Sequence, residues 1–349
     1  PSPAVAVKGL ALLLKSPLPT VVPLAEAVEG EAAMMCCGSW RGVLARVAIV
    51  VVLGAAASAE AKECGGNVAC ACGDSVRGSA TLAADLVGCT TGLRVKSNAV
   101  LDCAGHAILA APLDAQEGIV VEGTAATVRG CTVAGFGTGI RVRGGGANVI
   151  ADNDVVDSAR YGMELAVQTT HNRISGNLVT GSGDEGVHVG SGADDNVIDG
   201  NEITHSKREN LYLLDAEGNT ISDNVLRGAS AAAMYVKHSS RNVFTDNDVA
   251  DRPIQLRGES EDNVFTGNRL TGVGFVLQAY KDAKRGWKAP RRNRMHGGTV
   301  RGVATCFRFD GASYNAADGV QVDGCKAMTQ KKSGGLAATG NTVEVVRAP

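Results

Sequence analysis

The sequence predicts an all-β fold, a right-handed, single-stranded parallel β-helix of about ten coils. Two observations carry that prediction. The first is one pattern, asparagine, four residues, asparagine, recurring six times from Asn148 to Asn268, with leading asparagines 24, 24, 23, 23 and 21 residues apart. A fixed period of this size marks a solenoid, in which each repeat packs only on its neighbours. The second is a short triplet between the asparagine pairs, apolar, any, apolar after a small residue, as in Gly139-Ile-Arg-Val142, Gly162-Met-Glu-Leu165 and Gly186-Val-His-Val189. Period 2 places one member of each triplet outside and two inside, the signature of a strand. A leucine ladder with a helical return is missing, so each repeat is one coil of about three strands, with rungs about 4.8 Å apart.

Taken from the beginning, the chain has no methionine before Met34, and residues 1–33 are expected to be upstream translation or a fragment's edge, without order. From Met34, the basic residues Arg41 and Arg46, the apolar run of 13 residues from Val47 to Ala59 and the small residues around Ala59 predict a secretory signal over 34–61. The run is shorter than the roughly 20 residues a spanning helix needs. Residues 62–349 then form one β-helix.

Within it, the asparagine pairs are expected at the corners, where asparagine tolerates left-handed backbone and stacked amides hydrogen-bond from coil to coil. Asn293 is a seventh corner, arriving 30 residues after Asn263. The extra length is a basic insertion at 281–294 carrying Trp287, and inserted loops on solenoids often border a binding face. Gly319 to Asp323 and Asn341 to Val346 read as closing strands.

Lys and Arg number 34 against 36 Asp and Glu, a net charge of -2, which gives no global attraction to nucleic acid or an anionic membrane. Ten cysteines are present, and Cys36 and Cys37 fall in the predicted signal. The remaining eight favour disulfides in an exported chain. Cys103 and Cys131 occupy similar points of neighbouring coils and are expected to pair, as are Cys306 and Cys325. The four N-terminal cysteines admit a metal as the alternative to disulfides. No calcium motif is present and no cofactor is expected. A secreted or periplasmic monomer follows.

Asn172-Arg-Ile-Ser-Gly-Asn177 with Gly186-Val-His-Val189 resembles the right-handed parallel β-helix repeat proteins, including NosD-like carbohydrate-binding and sugar-hydrolase repeats and the pectate-lyase type. Val100 to Ile108 is similar to the entry coil of secreted members, and the resemblance covers roughly residues 72–345. It implies a polysaccharide ligand, or for the NosD-like group an accessory role in maturing a copper enzyme. Six Met and six His, with no Met-x-x-Met, fit copper poorly. Gly183 to Val189 is similar to the Gly-Asp-Asp segment of polygalacturonase-like hydrolases, and Tyr235-Val-Lys237 to their Arg-Ile-Lys. The chain departs from them at Arg160-Tyr-Gly162, where Asn-Thr-Asp is expected, and lacks their Gly-His-Gly and the Asp-Pro-His of epimerases.

Register places Arg141, Glu164, His188, Tyr212, Tyr235, Lys237, Gln255 and Arg257 outward on consecutive rungs, with Asp184 and Glu185, then Arg208 and Glu209, just ahead of the same strands. Cleaving or epimerising an acidic polysaccharide needs a base, a cation for the uronate carboxylate and an acid for the leaving oxygen, whereas hydrolysis needs paired carboxylates. Asp184, Glu185, His188, Tyr212 and Lys237 are the catalytic candidates. Arg141, Glu164, Arg208, Tyr235, Arg257 and Trp287 are the substrate-binding ones. A non-catalytic carbohydrate-binding or surface module is the alternative.

Overall fold

The computed structural model describes residues 62–111 and 115–347; the predicted signal and the segment before it, with Cys36 and Cys37, lie outside the described residues. Within them, every coil of the repeat region uses three short strands, illustrated by Leu211–Leu214, Thr220–Ser222 and Val225–Arg227. Each pairs in parallel with its counterpart one coil on, so that Tyr212 faces Tyr235, Ile221 faces Phe244 and Leu226 faces Val249. The first strands stack into a sheet of thirteen. That corrects the expected ten coils to about twelve turns. Coils before Asn148 and after Asn293 are built without the asparagine pair that made the others countable.

The interior is a set of apolar columns, as period 2 requires. One runs through Ile150, Ile174, Ile198, Ile221, Phe244, Phe265 and Met295, all buried. Phe244 and Phe265 stack at 4.3 Å. A thin coil has no deep centre, so its stability comes from contacts repeated rung after rung, each buried large side chain adding about 1.5–3 kcal/mol.

The asparagines act differently from the expectation. Left-handed backbone falls on the residue ahead of each one: Ala147, His171, Asp195, Gly218, Arg241 and Asp262 before the leading asparagines, and Asp152, Gly176, Gly200, Asp223, Asp246 and Gly267 before the second. The asparagines themselves point inward and are buried. From the second pair on, each side-chain oxygen accepts both the backbone N–H and the side-chain amide of the asparagine one coil earlier, as Asn201 does from Asn177 at 3.0 and 2.9 Å, while Asn148 and Asn153 accept the backbone N–H of Ala126 and Cys131. This turns the corner and satisfies backbone groups that no strand pairs. The leading ladder continues past Asn293 to Asn315 and Asn341.

Four disulfides join Cys64 to Cys70, Cys72 to Cys89, Cys103 to Cys131 and Cys306 to Cys325. Both expected pairs are present, and the four N-terminal cysteines bond to each other.

Candidate functional site

The thirteen-stranded sheet carries the predicted row. Arg141, Glu164, His188, Tyr212, Tyr235 and Gln255 are direct partners on successive rungs. Their side chains form a ladder of rings: Tyr161 stacks on His188 at 4.7 Å, His188 meets Tyr212 edge-on at 5.3 Å, and Tyr212 stacks on Tyr235 at 5.1 Å. The Arg160 guanidinium covers Tyr161 at one end and Arg257 covers Tyr235 at the other. Ring packing of this kind leaves Tyr212 and Tyr235 each only 8% exposed, although both point away from the coil interior.

Three carboxylates gather beside the ladder, in the turns entering these strands. Gly186 allows the turn, since a Cβ there would lie 2.4 Å from Ile203 and 2.6 Å from the Asn210 carbonyl oxygen. The chain therefore turns in tightly just after Glu185 and buries it at 2% exposure. Arg208 Nη1 lies 3.1 Å from Asp184 Oδ1 and 3.2 Å from Glu185 Oε1, and its Nε lies 3.5 Å from Glu209. Strand alternation would send Asp184 and Glu185 apart; the bend brings both to one guanidinium.

Burial pushes the Glu185 carboxyl up to about 7, with the negative charge of Asp184 adding to it and Arg208 opposing. Glu209 is likewise raised, first by burial. His188 is lowered, mainly by burial, so its imidazole is held neutral. Burial also raises the phenols of Tyr161, Tyr212 and Tyr235 and keeps them protonated donors. Glu185 Oε2, His188 Nδ1, Glu209 Oε2 and Arg257 Nε are buried atoms without a hydrogen-bond partner, and all four belong to this patch.

The other predicted residues are engaged in contacts of their own, Glu164 among them although it stands on the rung beside His188. Arg141 and Glu164 pair with each other at 2.5 Å, and Arg141 also pairs with Glu117. Lys237 sits over the Tyr280 ring at 4.4 Å, one column along the sheet. Trp287, 42% exposed, lies in a hairpin made by Tyr280–Asp282 and Gly286–Lys288, the structure of the basic insertion, with a Cβ at Gly334 falling 2.1 Å from its ring. Much of the insertion's positive charge is already paired: Arg285 with Asp215, Lys288 with Glu259, Arg291 and Arg292 with Glu261. Among the described residues no three His, Cys, Asp or Glu side chains converge in a way that would hold a metal ion.

Tyr161 was missed from the sequence as a site residue, and Glu209, read there as standing ahead of the strand but given no role, is the third carboxylate. The period offered the signal. Tyr161, Glu185 and Glu209 occupy one column, each one residue before the small residue or Asn210 that opens the triplet, with Gly162 N donating to Glu185 O and Gly186 N to Glu209 O.

The family described as the right-handed β-helix region matches residues 117–275. The chain is a right-handed β-helix repeat protein. No curated protein matches it in sequence. Solved structures do match: a periplasmic alginate epimerase, AlgG, at 16% identity and a TM-score of 0.51 over 78% of this chain and 68% of that one. The mannuronan C-5 epimerase AlgE6 A-module of Azotobacter vinelandii is similar at 14% identity and a TM-score of 0.48, over 82% and 88%. A GH87 alpha-1,3-glucanase catalytic domain in complex with nigerose follows at 15% and 0.46, over 81% and 58%. At these identities the likeness is one of fold, and the chemistry has to be read from this chain's own residues.

Proposed function

We propose that this is an exported β-helix that binds an acidic polysaccharide along the outward face of the thirteen-stranded sheet and processes it by proton transfer at Glu185 and His188. The observation that carries the reading is the convergence of unpartnered buried polar atoms on that patch, from Glu185, His188, Glu209 and Arg257. Leaving such atoms unpaired costs about 1–3 kcal/mol each, a cost stability alone would have removed. In lyase or epimerase chemistry the neutral His188 takes the proton beside the uronate carboxylate. Arg208, 52% exposed at the lip, neutralises that carboxylate, and protonated Glu185 or Tyr212 returns a proton. Because Glu185 and Glu209 are both raised toward the neutral form, the surrounding Arg160, Arg208 and Arg257 leave the patch able to accept an anion. The fold shared with an alginate epimerase supports the polysaccharide class. The four disulfides support a periplasmic or extracellular site of action. A monomer remains part of the proposal.

Glycoside hydrolysis is the second reading, and one observation favours it. Asp184 and Glu185 meet on the same Arg208 nitrogen, one with its side chain 25% exposed, the other buried and raised by that burial, so two carboxyls in unlike surroundings stand together as a hydrolytic pair requires. Incubating the protein with uronate and neutral glycans separates the outcomes. Unsaturated products detected by ultraviolet absorbance mean a lyase, changed sugar configuration by NMR an epimerase, and new reducing ends without unsaturation a hydrolase. Binding without turnover leaves a carbohydrate-binding module, and no binding at low salt rejects the proposal.

A further inference from the structure

A second concavity lies away from the ring ladder, where the hairpin of the basic insertion lies back along the solenoid. Arg285 reaches across three coils to pair with Asp215 at 2.7 Å, and Lys288 pairs with Glu259 at 2.5 Å. Between the hairpin and the turns that leave the strands is a cavity of about 420 Å³, walled by Asp215, Glu217, His238, Arg241, Glu259 and Arg285 among others. We propose that this cavity is a binding site for a neutral sugar ring, distinct from the Glu185 patch.

The charge arrangement selects the ligand class. Every wall carboxylate already has a cation: Asp215 has Arg285, Glu217 has Arg241 and Glu259 has Lys288, each on one oxygen, and Glu261 has Arg291 and Arg292 on its two. A uronate or a free amine therefore finds no uncompensated charge to neutralise and would have to displace an existing pair. Vicinal hydroxyls do not, because each donates to a second carboxylate oxygen while accepting from a guanidinium.

His238 supplies the independent sign of a ligand. Its side chain is 2% exposed, and its ring is held over Gly258, where a Cβ would come within 2.3 Å of Cε1. Nδ1 accepts the Glu259 backbone N–H at 3.1 Å, so the neutral ring carries its proton on Nε2. That Nε2 has no hydrogen-bond partner, and the nearest carboxylate, Asp282 on the hairpin, is 3.7 Å away. A hydroxyl seated there would accept from Nε2 and donate to Asp282, tying the hairpin to the coil.

Calorimetric titration of the full chain with glucose, galactose, galacturonate and glucosamine tests the site. The expected result is that at least one neutral sugar binds, and binds at least tenfold more tightly than galacturonate or glucosamine. Asp215→Asn and His238→Phe should each weaken that binding at least tenfold, while Glu185→Gln leaves it unchanged. If His238→Phe does not fold, Asp215→Asn and Arg285→Ala, both at the surface, carry the same test. No neutral sugar binding to the parent, equal binding of the charged sugars, or undiminished binding in the folded variants would overturn the proposal. Since the Glu185 patch is assayed separately by turnover of polymers, failure here leaves that reading standing, and the reverse.

Discussion

His188 Nδ1 lies 3.8 Å from Glu185 Oε2, a buried imidazole facing a buried carboxyl, and neither of these two atoms has a hydrogen-bond partner. Burial lowers one and raises the other, so the imidazole is held toward its neutral form while the carboxyl keeps its proton until the pH approaches about 7. The linkage signs are therefore opposite. Glu185 binds its proton more tightly folded than unfolded, so its contribution is present below its ordinary 4.5 and is lost as pH rises to about 7. His188 behaves in reverse, and costs stability as pH falls below 6.5. Glu185→Gln should flatten the loss between pH 4.5 and 7 and stabilise the protein at pH 8 by up to about 3 kcal/mol. Denaturant unfolding at several pH values checks this; an unchanged slope in the variant would show that Glu185 is not raised.

His188→Ala should lower turnover by roughly 10²–10⁴-fold, the usual size of a proton-transfer contribution, with the circular dichroism unchanged because the ring lies outside the coil. Tyr161→Ala removes the ring stacked on His188 and part of its burial. The imidazole pKa, followed by NMR, should then move up toward 6.5. A fixed value would mean that Tyr161 does not set the environment of His188.

Asn201→Leu should cost about 3 kcal/mol or more. Its oxygen serves two donors of Asn177, and its amide reaches Asn224, Ile174 and Asp199, so a leucine strands several buried groups at about 1–3 kcal/mol apiece. Thermal unfolding is the measurement, and a loss under 1 kcal/mol would mean the ladder is not load-sharing in this way.

Non-reducing peptide mapping should recover Cys103 joined to Cys131, whose Cα atoms are 4.7 Å apart. Replacing both with serine should cost roughly 3 kcal/mol. Free thiols at both positions in exported protein would reject the bond.

These outcomes depend on features the sequence exposed unevenly. Period and alternation were enough for the coil, for the register of Arg141 through Gln255 and for the Cys103 pairing, because a solenoid converts sequence spacing directly into neighbours. Depth was not legible. Period 2 labels Tyr212 and Tyr235 as outward, yet rings on adjacent rungs bury each other, which depends on side-chain size across coils. Turn geometry was equally hidden, since the bend that brings Asp184 and Glu185 to Arg208 depends on Gly186 fitting against Ile203. The insertion's basic composition suggested the border of a binding face; its pairing with Asp215, Glu259 and Glu261 uses partners 29 to 70 residues away, which composition cannot reveal.

Arg208 and Lys237 should now behave differently. Arg208 touches all three carboxylates and stands at the lip of the patch, whereas Lys237 rests on Tyr280. Arg208→Gln should therefore weaken polyuronide binding strongly and reduce its sensitivity to salt, since an exposed cation acts over a distance that salt screens. It should also move the alkaline limb of the pH–rate profile upward, because Arg208 opposes the rise of the Glu185 carboxyl and its loss removes that restraint. Lys237→Ala should change affinity by less than threefold and leave the pH profile in place. Binding isotherms at two ionic strengths and rates across pH 5 to 9 measure both effects. If Lys237→Ala is the damaging variant and Arg208→Gln the silent one, the centre lies one column along the sheet, under the hairpin side of the row, and the assignment to Glu185 and His188 fails.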